Sequence, residues 1–467
     1  MNIPGDLAAV LGALAHHGRP FLAGGCVRDW LLGHEAKDFD VEVYGLGWDE
    51  IARILHPFGP TDVVGRSFGV MKLRLGGVEY DISLPRRETK TGTGHRGFDV
   101  EPDAALDERT ACARRDFTIN ALLYDPIAHQ VVDHHGGEED LRRRVLRHTS
   151  AAFAEDPLRV LRAFQFAARF GLTLAPETAA LCASIADTFA ELPRERIWGE
   201  WDKFATRAER PSRGLVALKA SGWLRHFPEL AALDGTPQDP EWHPEGDVFV
   251  HTQHCVDALV ALPAWRDATP ELRRVLMFAV LGHDFGKPAT THRALKHGAE
   301  RWVSPGHAET GGPLITAFLE RLGSPLEVRP PVQALVESHH AHLNFPPEGP
   351  TATAVRRLAR RLAPATIDQL LVVMESDHRG RPPLISENTE RRMAQLREAA
   401  RQLALESEAP RPIMLGRDLI ALGEKPGRHF AEILEAAFEA QLDGAFSNHV
   451  DGMTWLRDKL SLPPAGP

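Results

Sequence analysis

Residues 21–43 read FLAGGCVRDWLLGHEAKDFDVEV, and the fold class turns on this stretch. A short apolar run breaks at Gly24-Gly25, enters a helix and re-emerges in the alternating DFDVEVYG, giving strand, turn, helix, strand. Alternation places Asp38 and Asp40 on one face at the start of the second strand. Two such carboxylates suit Mg²⁺, a hard cation that takes oxygen ligands and keeps positions for substrate phosphates. Gly24 and Gly25 let the backbone approach a phosphate where the helix begins. Arg28 is placed for a charge-assisted contact, and Asp81 in the next predicted strand (VEYDIS) offers a third carboxylate. A lone D-x-D is more often a solvated pair. Grouped with the glycines in this order, it points to phosphoryl or nucleotidyl transfer.

Working outward, GVMKLRL and GVEYDISL continue the strand pattern, which predicts a small mixed-sheet head. Residues 90–114 are polar and without period, and read as one long loop. The turn-rich DHHGGEED (133–140) marks a hinge, after which Ala/Leu/Arg-rich helical pattern runs to the C-terminus. The chain has 467 residues, 43% hydrophobic and 25% charged, a globular balance. No apolar run is long enough for a membrane helix. The N-terminus carries Asp6 without a basic start, and reads as an amphipathic helix, not a signal peptide. Four scattered cysteines without C-x-x-C predict neither a disulfide frame nor a cysteine zinc site, which fits a cytoplasmic protein. The net charge of −10 speaks globally against nucleic acid, yet residues 140–220 hold 14 Lys and Arg against 10 Asp and Glu.

The motif GGCVRDWLLG…KDFDVEV resembles the opening motif of the class II tRNA nucleotidyltransferases, the CCA-adding enzymes and their bacterial poly(A) polymerase relatives. The resemblance continues in chain order. RRDFTINALLYD (114–125) is similar to the ribose-selecting motif, implying nucleotide contacts from Arg115, Asp116 and Asn120. DHHGGEEDL resembles the hinge motif, EDPLRVLRAFQFAARFG (155–171) the base-reading helix, and ELPRERIWGEWDKF (191–204) the helix that buttresses it. Asp156-Pro157 is a natural helix start, and Asp156 and Arg159 share a face. A carboxylate accepts and a guanidinium donates, so this pair matches the amine donor and ring-nitrogen acceptor common to cytosine and adenine. Arg162 belongs to the same implied set. Gln165 stands where many members carry another Arg, which removes one expected triphosphate or base contact. By the same resemblance, in which a shortened loop goes with enzymes that stop after CC, the full-length 90–114 segment implies the ability to add A.

A second constellation lies in the middle of the chain. HTQHCVDAL supplies His251, LGHDFGK supplies His283 and Asp284, PGHAETGG supplies His307, ESHHAH supplies His339 and His340, and MESDHRGR supplies Asp377. The pattern resembles the HD metal-dependent phosphohydrolases. By that resemblance His251, His283, Asp284 and Asp377 hold a divalent transition metal, Ni²⁺ or Mn²⁺, with His307, His339 and His340 as a second site or phosphate group. Lys287 would stand by the phosphate. Toward the C-terminus, Lys425, Arg428 and His429 gather at a turn that could hold an RNA backbone. The run RRLARR (356–361) reads as a solvated helix face.

The expected fold is α+β: a small mixed-sheet nucleotidyltransferase head followed by an all-helical neck, HD domain and helical C-terminal body, at 1–139, 140–235, 236–385 and 386–467. The expected activity is template-independent addition of CCA, or of the terminal A, to tRNA from CTP and ATP, with Mg²⁺ at Asp38 and Asp40. The HD domain is expected to act as a phosphatase or 2′,3′-cyclic phosphodiesterase. Two alternatives stay open: a poly(A) polymerase on general RNA, and a mainly hydrolytic HD enzyme whose head only binds nucleotide.

Overall fold

Strands β1 (Arg19–Ala23) and β2 (Asp40–Tyr44) pair antiparallel through the apolar runs on either side of the Gly24-Gly25 turn, with α2 (Gly25–Leu31) between them. This is a computed structural model of the chain, and it describes residues 1–36, 38–64, 70–90, 98–296, 298–383 and 386–462. The chain divides into two compact units, Met1–Phe227 and Pro228–Pro467.

In the first unit, α1 (Gly5–Ala15) buries Leu7, Val10, Leu11 and Leu14, each worth about 2 kcal/mol. Helix α3 (Trp48–Leu55) follows β2, and β3 (Thr61–Val64), β4 (Val70–Leu75) and β5 (Val78–Ser83) complete one side of the sheet. With β8 (Leu123–Asp125) and β9 (Gln130–Val132) the order is β3-β4-β5-β2-β1-β8-β9. Among the described residues of this sheet, only β2 and β5 run parallel, in the register Asp40↔Asp81.

Residues 90–114 are not one loop. Lys90 ends β6 (Arg86–Lys90), which pairs antiparallel with β7 (Phe98–Pro102), and α4 (Glu108–Cys112) is capped by the Asp107 carboxylate. Residues 91–97 lie outside the described part. A two-stranded ladder held by backbone bonds need not show apolar alternation, so its strands carry no periodic signal in the sequence.

After α5 (Gly137–Arg142) come a two-residue parallel bridge, β10 (Val145–Leu146) with β11 (Thr173–Leu174), and the helices α6 (Leu158–Phe170), α7 (Arg194–Arg207) and α8 (Pro211–Ala220). Phe164 of α6 packs on Trp201 and Phe204 of α7, both centroids 4.6 Å away. On its other flank α6 meets Gly214 of α8, where a Cβ would lie 2.8 Å from the Phe164 carbonyl oxygen. Phe117, next to the RRD motif, packs edge-on against Phe166, so the head motif and α6 share one core.

The second unit is built on α9 (Val248–Ala261), α10 (Pro270–Gly282), α11 (His307–Leu322), α12 (Arg329–Ser338), α13 (Ala352–Leu362), α14 (Ile367–Arg379), α15 (Glu387–Gln402) and α16 (His429–Leu442). Among its described residues it is helical as expected, except for one hairpin, β12 (His292–Lys296) with β13 (Ala299–Val303). Both strands are largely exposed and polar, so they carry no alternation to read. The RRLARR run is not simply solvated. Arg360 of α13 pairs with Glu435 and Glu439 of α16 and lies 4.7 Å over the Phe438 ring. Arg357 reaches Asp443 at 2.8 Å. Among the described residues no helix is long and apolar enough to cross a membrane.

Candidate active sites in the head and in the histidine cluster

Asp40 opens β2, and the parallel register sets it beside Asp81 on β5. Asp38 lies just before the strand and is exposed. Burial, then the charge of Asp81, push the Asp40 carboxyl above the usual aspartate range; Arg115 opposes this, while Asp38 and Glu42 add to it. Crowded carboxylates at the wall of an open cleft fit an oxygen-ligated divalent cation, whose charge would relieve the repulsion.

All of the residues expected to bind the nucleotide line one cleft of about 430 Å³, together with Asp40. Its floor is a chain of hydrogen bonds, buried except at the Arg162 end. Arg28 Nη1 donates to Asn120 Oδ1 (2.5 Å), Asn120 Nδ2 donates to Asp116 Oδ1 (2.8 Å), and Arg162 Nε donates to Asp116 Oδ2 (2.7 Å). Burial alone would raise the Asp116 carboxyl, but Arg162 and Asn120 hold it below the usual range. Arg28 is itself buried, 4.5 Å from the Phe170 ring centroid and bonded to Asp29. Arg115 donates to the Asn120 carbonyl (3.0 Å) and pairs with Glu42. Gly24 sits at φ +68°, and a Cβ there would fall 2.7 Å from Arg115 Nη1. The glycine is required by close approach and by conformation alike.

At the far wall, Asp156 precedes α6 and accepts from the Leu158 N–H (3.1 Å). Arg196 of α7 donates to Asp156 Oδ2 at 3.0 Å. The Arg159 guanidinium donates to the carbonyls of Ala152 (3.0 Å) and Arg114 (2.8 Å). Gln165, which replaces an Arg expected from the resemblance, is 1% exposed inside α6 and does not line the cleft.

In the second unit the helices bring together the histidines singled out from the sequence. His251 of α9 stands 3.1 Å from Asp377 Oδ1 of α14 and 3.7 Å from Asp284 Oδ2, all through Nε2. His283, at the end of α10, has Nε2 3.2 Å from Asp284 Oδ2. His307 approaches Asp284 Oδ1 (3.4 Å) and His339 Nε2 (3.3 Å), and His340 lies 3.7 Å from Asp377 Oδ2. The other ring nitrogens are anchored outside the cluster. His283, His307 and His339 place Nδ1 at 2.7 Å from the carbonyls of Val280, Ser304 and Val336, and His251 Nδ1 lies 2.8 Å from Glu245 Oε1. A donated Nδ1–H leaves the Nε2 lone pair aimed inward, as metal-binding imidazoles require. His283 Nε2 is buried without a hydrogen-bond partner among the described residues. Burial pushes His307 down to about 4, so it is neutral. Burial opposes charge on Asp284, yet His283 and Lys287 hold it well below the usual range. These donors fit a divalent transition metal.

Residues 20–147 match the family described as Poly A polymerase head domain, and residues 171–233 the one described as probable RNA and SrmB- binding site of polymerase A. The Multifunctional CCA protein of Xanthomonas campestris pv. campestris (strain B100) is 40% identical over 373 residues, covering 77% of this chain and 85% of that protein. That of Nitrosococcus oceani is 36% identical over 372 residues, covering 78% and 85%. The chain belongs to the class II CCA-adding/poly(A) polymerase family. The Bacillus stearothermophilus CCA-adding enzyme, solved in complex with CTP, shares the fold with a TM-score of 0.64 at 22% identity, over 99% of this chain and 98% of that one. The Thermotoga maritima CCA-adding enzyme complexed with tRNA aligns with a TM-score of 0.58 at 17% identity, over 98% and 96%. The chain is accordingly a nucleotidyltransferase.

As a member of this family the chain carries residues at its sites that the sequence reading passed over. Glu42 is buried beside Arg115 where strand alternation alone gave it no role. Arg196 lay within a quoted motif, but nothing in its spacing tied it to Asp156. Cys255, four residues after His251 on α9, has Sγ 3.3 Å from His251 Nε2 and joins the cluster. The His251 neighbours His243 and Glu245 bond at 2.9 Å. The i, i+4 spacing could have shown the cysteine; the Glu245 contact comes from a loop and had no periodic signal.

Proposed function

We propose that the chain adds CCA, or the terminal A, to the 3′ end of tRNA from CTP and ATP. The observation that carries this reading is the single cleft that joins the Asp40 carboxylate to Asp156 and Arg159. Asp38 and Asp40, with Asp81 beside them, would hold Mg²⁺. When bound, the cation supplies polarisation of the incoming α-phosphate and a lowered pKa for the primer hydroxyl. Arg28, Arg115 and the Gly24-Gly25 turn border the phosphate side. The Arg28–Asn120–Asp116–Arg162 chain fixes the floor against which ribose and base are placed. Asp156 accepts the exocyclic amine and Arg159 donates to the ring nitrogen, which favours C and A over U and G. The basic neck and the 425–429 turn would carry the tRNA backbone. The segments 1–139, 140–235, 236–385 and 386–467 serve as head, neck, HD domain and C-terminal body in this scheme.

The second unit would hydrolyse phosphoesters, as a phosphatase or 2′,3′-cyclic phosphodiesterase. His251, His283, Asp284 and Asp377 would hold Ni²⁺ or Mn²⁺, with His307, His339 and His340 beside it. The metal's contribution is a bound water acidic enough to attack phosphorus near neutral pH. Lys287, 2.7 Å from Asp284 Oδ2, would neutralise the phosphate.

Single-nucleotide extension of tRNAs ending before C, C or A tests the first reading. The expected products stop at CCA. Failure to add AMP to a CC-ended tRNA overturns it, and unlimited A tails on unstructured RNA would make the chain a poly(A) polymerase.

A further inference from the structure

No step proposed above uses Cys255, yet its side chain faces the histidine cluster. It lies one turn after His251 on α9 and is fully buried. Its Sγ stands 3.3 Å from His251 Nε2, the nitrogen that points inward, and 3.8 Å from Nδ1. A buried cysteine is most often a small apolar filler. This sulfur has polar neighbours instead: His251, Cys255, His283 and Asp377 each bring one ligand atom within 4.8 Å of the others. Asp377 Oδ1 is 3.1 Å from His251 Nε2 and 4.0 Å from His283 Nε2. A tetrahedral metal with bonds of about 2.0–2.1 Å to nitrogen and about 2.3 Å to sulfur spaces its ligand atoms about 3.3–3.6 Å apart. The distances between these four side chains bracket that spacing.

Two observations away from the cysteine itself point the same way. His283 is 1% exposed, and its Nε2 has no hydrogen-bond partner among the described residues. A buried polar atom aimed into such a cluster calls for a ligand. Gly380 follows α14 at φ −72°, a conformation open to any residue, yet a Cβ there would collide with Cys255 Sγ. The glycine is needed for the room it leaves to the sulfur, not for its backbone angles.

We infer that Cys255 is a further ligand to the metal held by His251, His283 and Asp377, and that its sulfur turns the site toward Zn²⁺ and Ni²⁺ and away from Mn²⁺. The inference rests on the reading of the histidine cluster as a metal site. When the metal binds, the Sγ–H bond breaks, the proton passes to solvent and a sulfur lone pair makes the bond to the metal. Soft thiolate raises affinity for zinc and nickel more than for manganese, which oxygen ligands suit. A single thiolate one turn from a histidine needs no C-x-x-C, the motif whose absence argued against a cysteine zinc site.

The test takes the full chain, strips it with a chelator and reloads it with one equivalent of one metal at a time. X-ray absorption at the zinc edge of the wild type should show one sulfur at about 2.3 Å beside nitrogen and oxygen at about 2.0–2.1 Å. Co²⁺ in place of Zn²⁺ should give a sulfur-to-metal charge-transfer band in the near ultraviolet, and Cys255→Ser should abolish it. Affinity for Zn²⁺ should fall at least about tenfold in Cys255→Ser, no less than for loss of a group that only supports a ligand. Affinity for Mn²⁺ should change much less. Mn²⁺ binds nearly every such site more weakly than Zn²⁺, so the readout is the change in their ratio between wild type and variant. Circular dichroism of metal-free Cys255→Ser reports its folding, and the zinc-edge spectrum needs no variant. Zinc bound through nitrogen and oxygen alone, a charge-transfer band that survives in Cys255→Ser, or an unchanged ratio overturns the cysteine ligand and leaves the histidine metal site standing. A wild-type chain that takes up none of Zn²⁺, Ni²⁺ and Mn²⁺ overturns both.

Discussion

Arg196 Nη2 stands 3.0 Å from Asp156 Oδ2, so the carboxylate proposed to read the base is held by a guanidinium from another helix. Its proposed partner in base reading, Arg159, is meanwhile oriented by two backbone carbonyls. Each half of the proposed pair is fixed by a different part of the chain. Arg196→Ala should free Asp156 to rotate and lower discrimination of CTP and ATP against UTP and GTP by roughly tenfold or more, the scale of one bidentate contact. Incorporation rates with the four nucleotides measure this, and Arg196→Lys should recover part of it. Equal losses for all four would make Arg196 merely structural.

Asp38→Ala combined with Asp40→Ala should lower nucleotide addition by about a thousandfold or more, since the charge stabilisation at the α-phosphate is lost. Hydrolysis by the second unit should persist in the same preparation. Addition that survives places the active site elsewhere.

Asp116 provides a pH test. Its carboxyl is held below the usual range in the fold, so its stabilisation is complete above the unfolded value near ~3.9 and is lost as pH falls through the folded value. Asp116→Asn should cost about 2 kcal/mol at pH 7, less than the ~3–5 of a fully buried pair because Arg162 is a third exposed. Urea unfolding should show the gap between the two proteins narrowing as the pH drops below about 4. A gap that widens on acidification would contradict the ion pair with Arg162.

Glu245→Gln tests the outer anchor of His251. Removing the carboxylate weakens the hold on the imidazole tautomer, and the affinity for Ni²⁺ should fall by about 10- to 100-fold. A metal titration of the full chain reads this directly, and tRNA extension serves as the control. Unchanged affinity would mean that His251 does not depend on Glu245 for its orientation.

The head was legible because its chemistry is local: Gly24-Gly25, Asp38 and Asp40 fall within one strand–turn–helix–strand stretch. The same holds for the histidines, since five widely spaced motifs each carry their own signature. Arg196 and Glu245 were not legible as partners, because each meets its target through tertiary packing across a distance that no periodicity encodes. The hairpin at 292–303 escaped because exposed strands have no apolar alternation, and RRLARR was read as solvated because its acidic partners lie some 75 residues onward.

The parallel register Asp40↔Asp81 has a consequence for how the enzyme is made. The two strands are joined through α3 and two further strands, so their pairing has to close a long loop, at an entropic cost that local contacts do not carry. A slip of one residue would turn Asp81 to the opposite face. The register is therefore a check on the proposed acidic site itself: a head mispaired by one residue would hold Asp40 without Asp81 beside it.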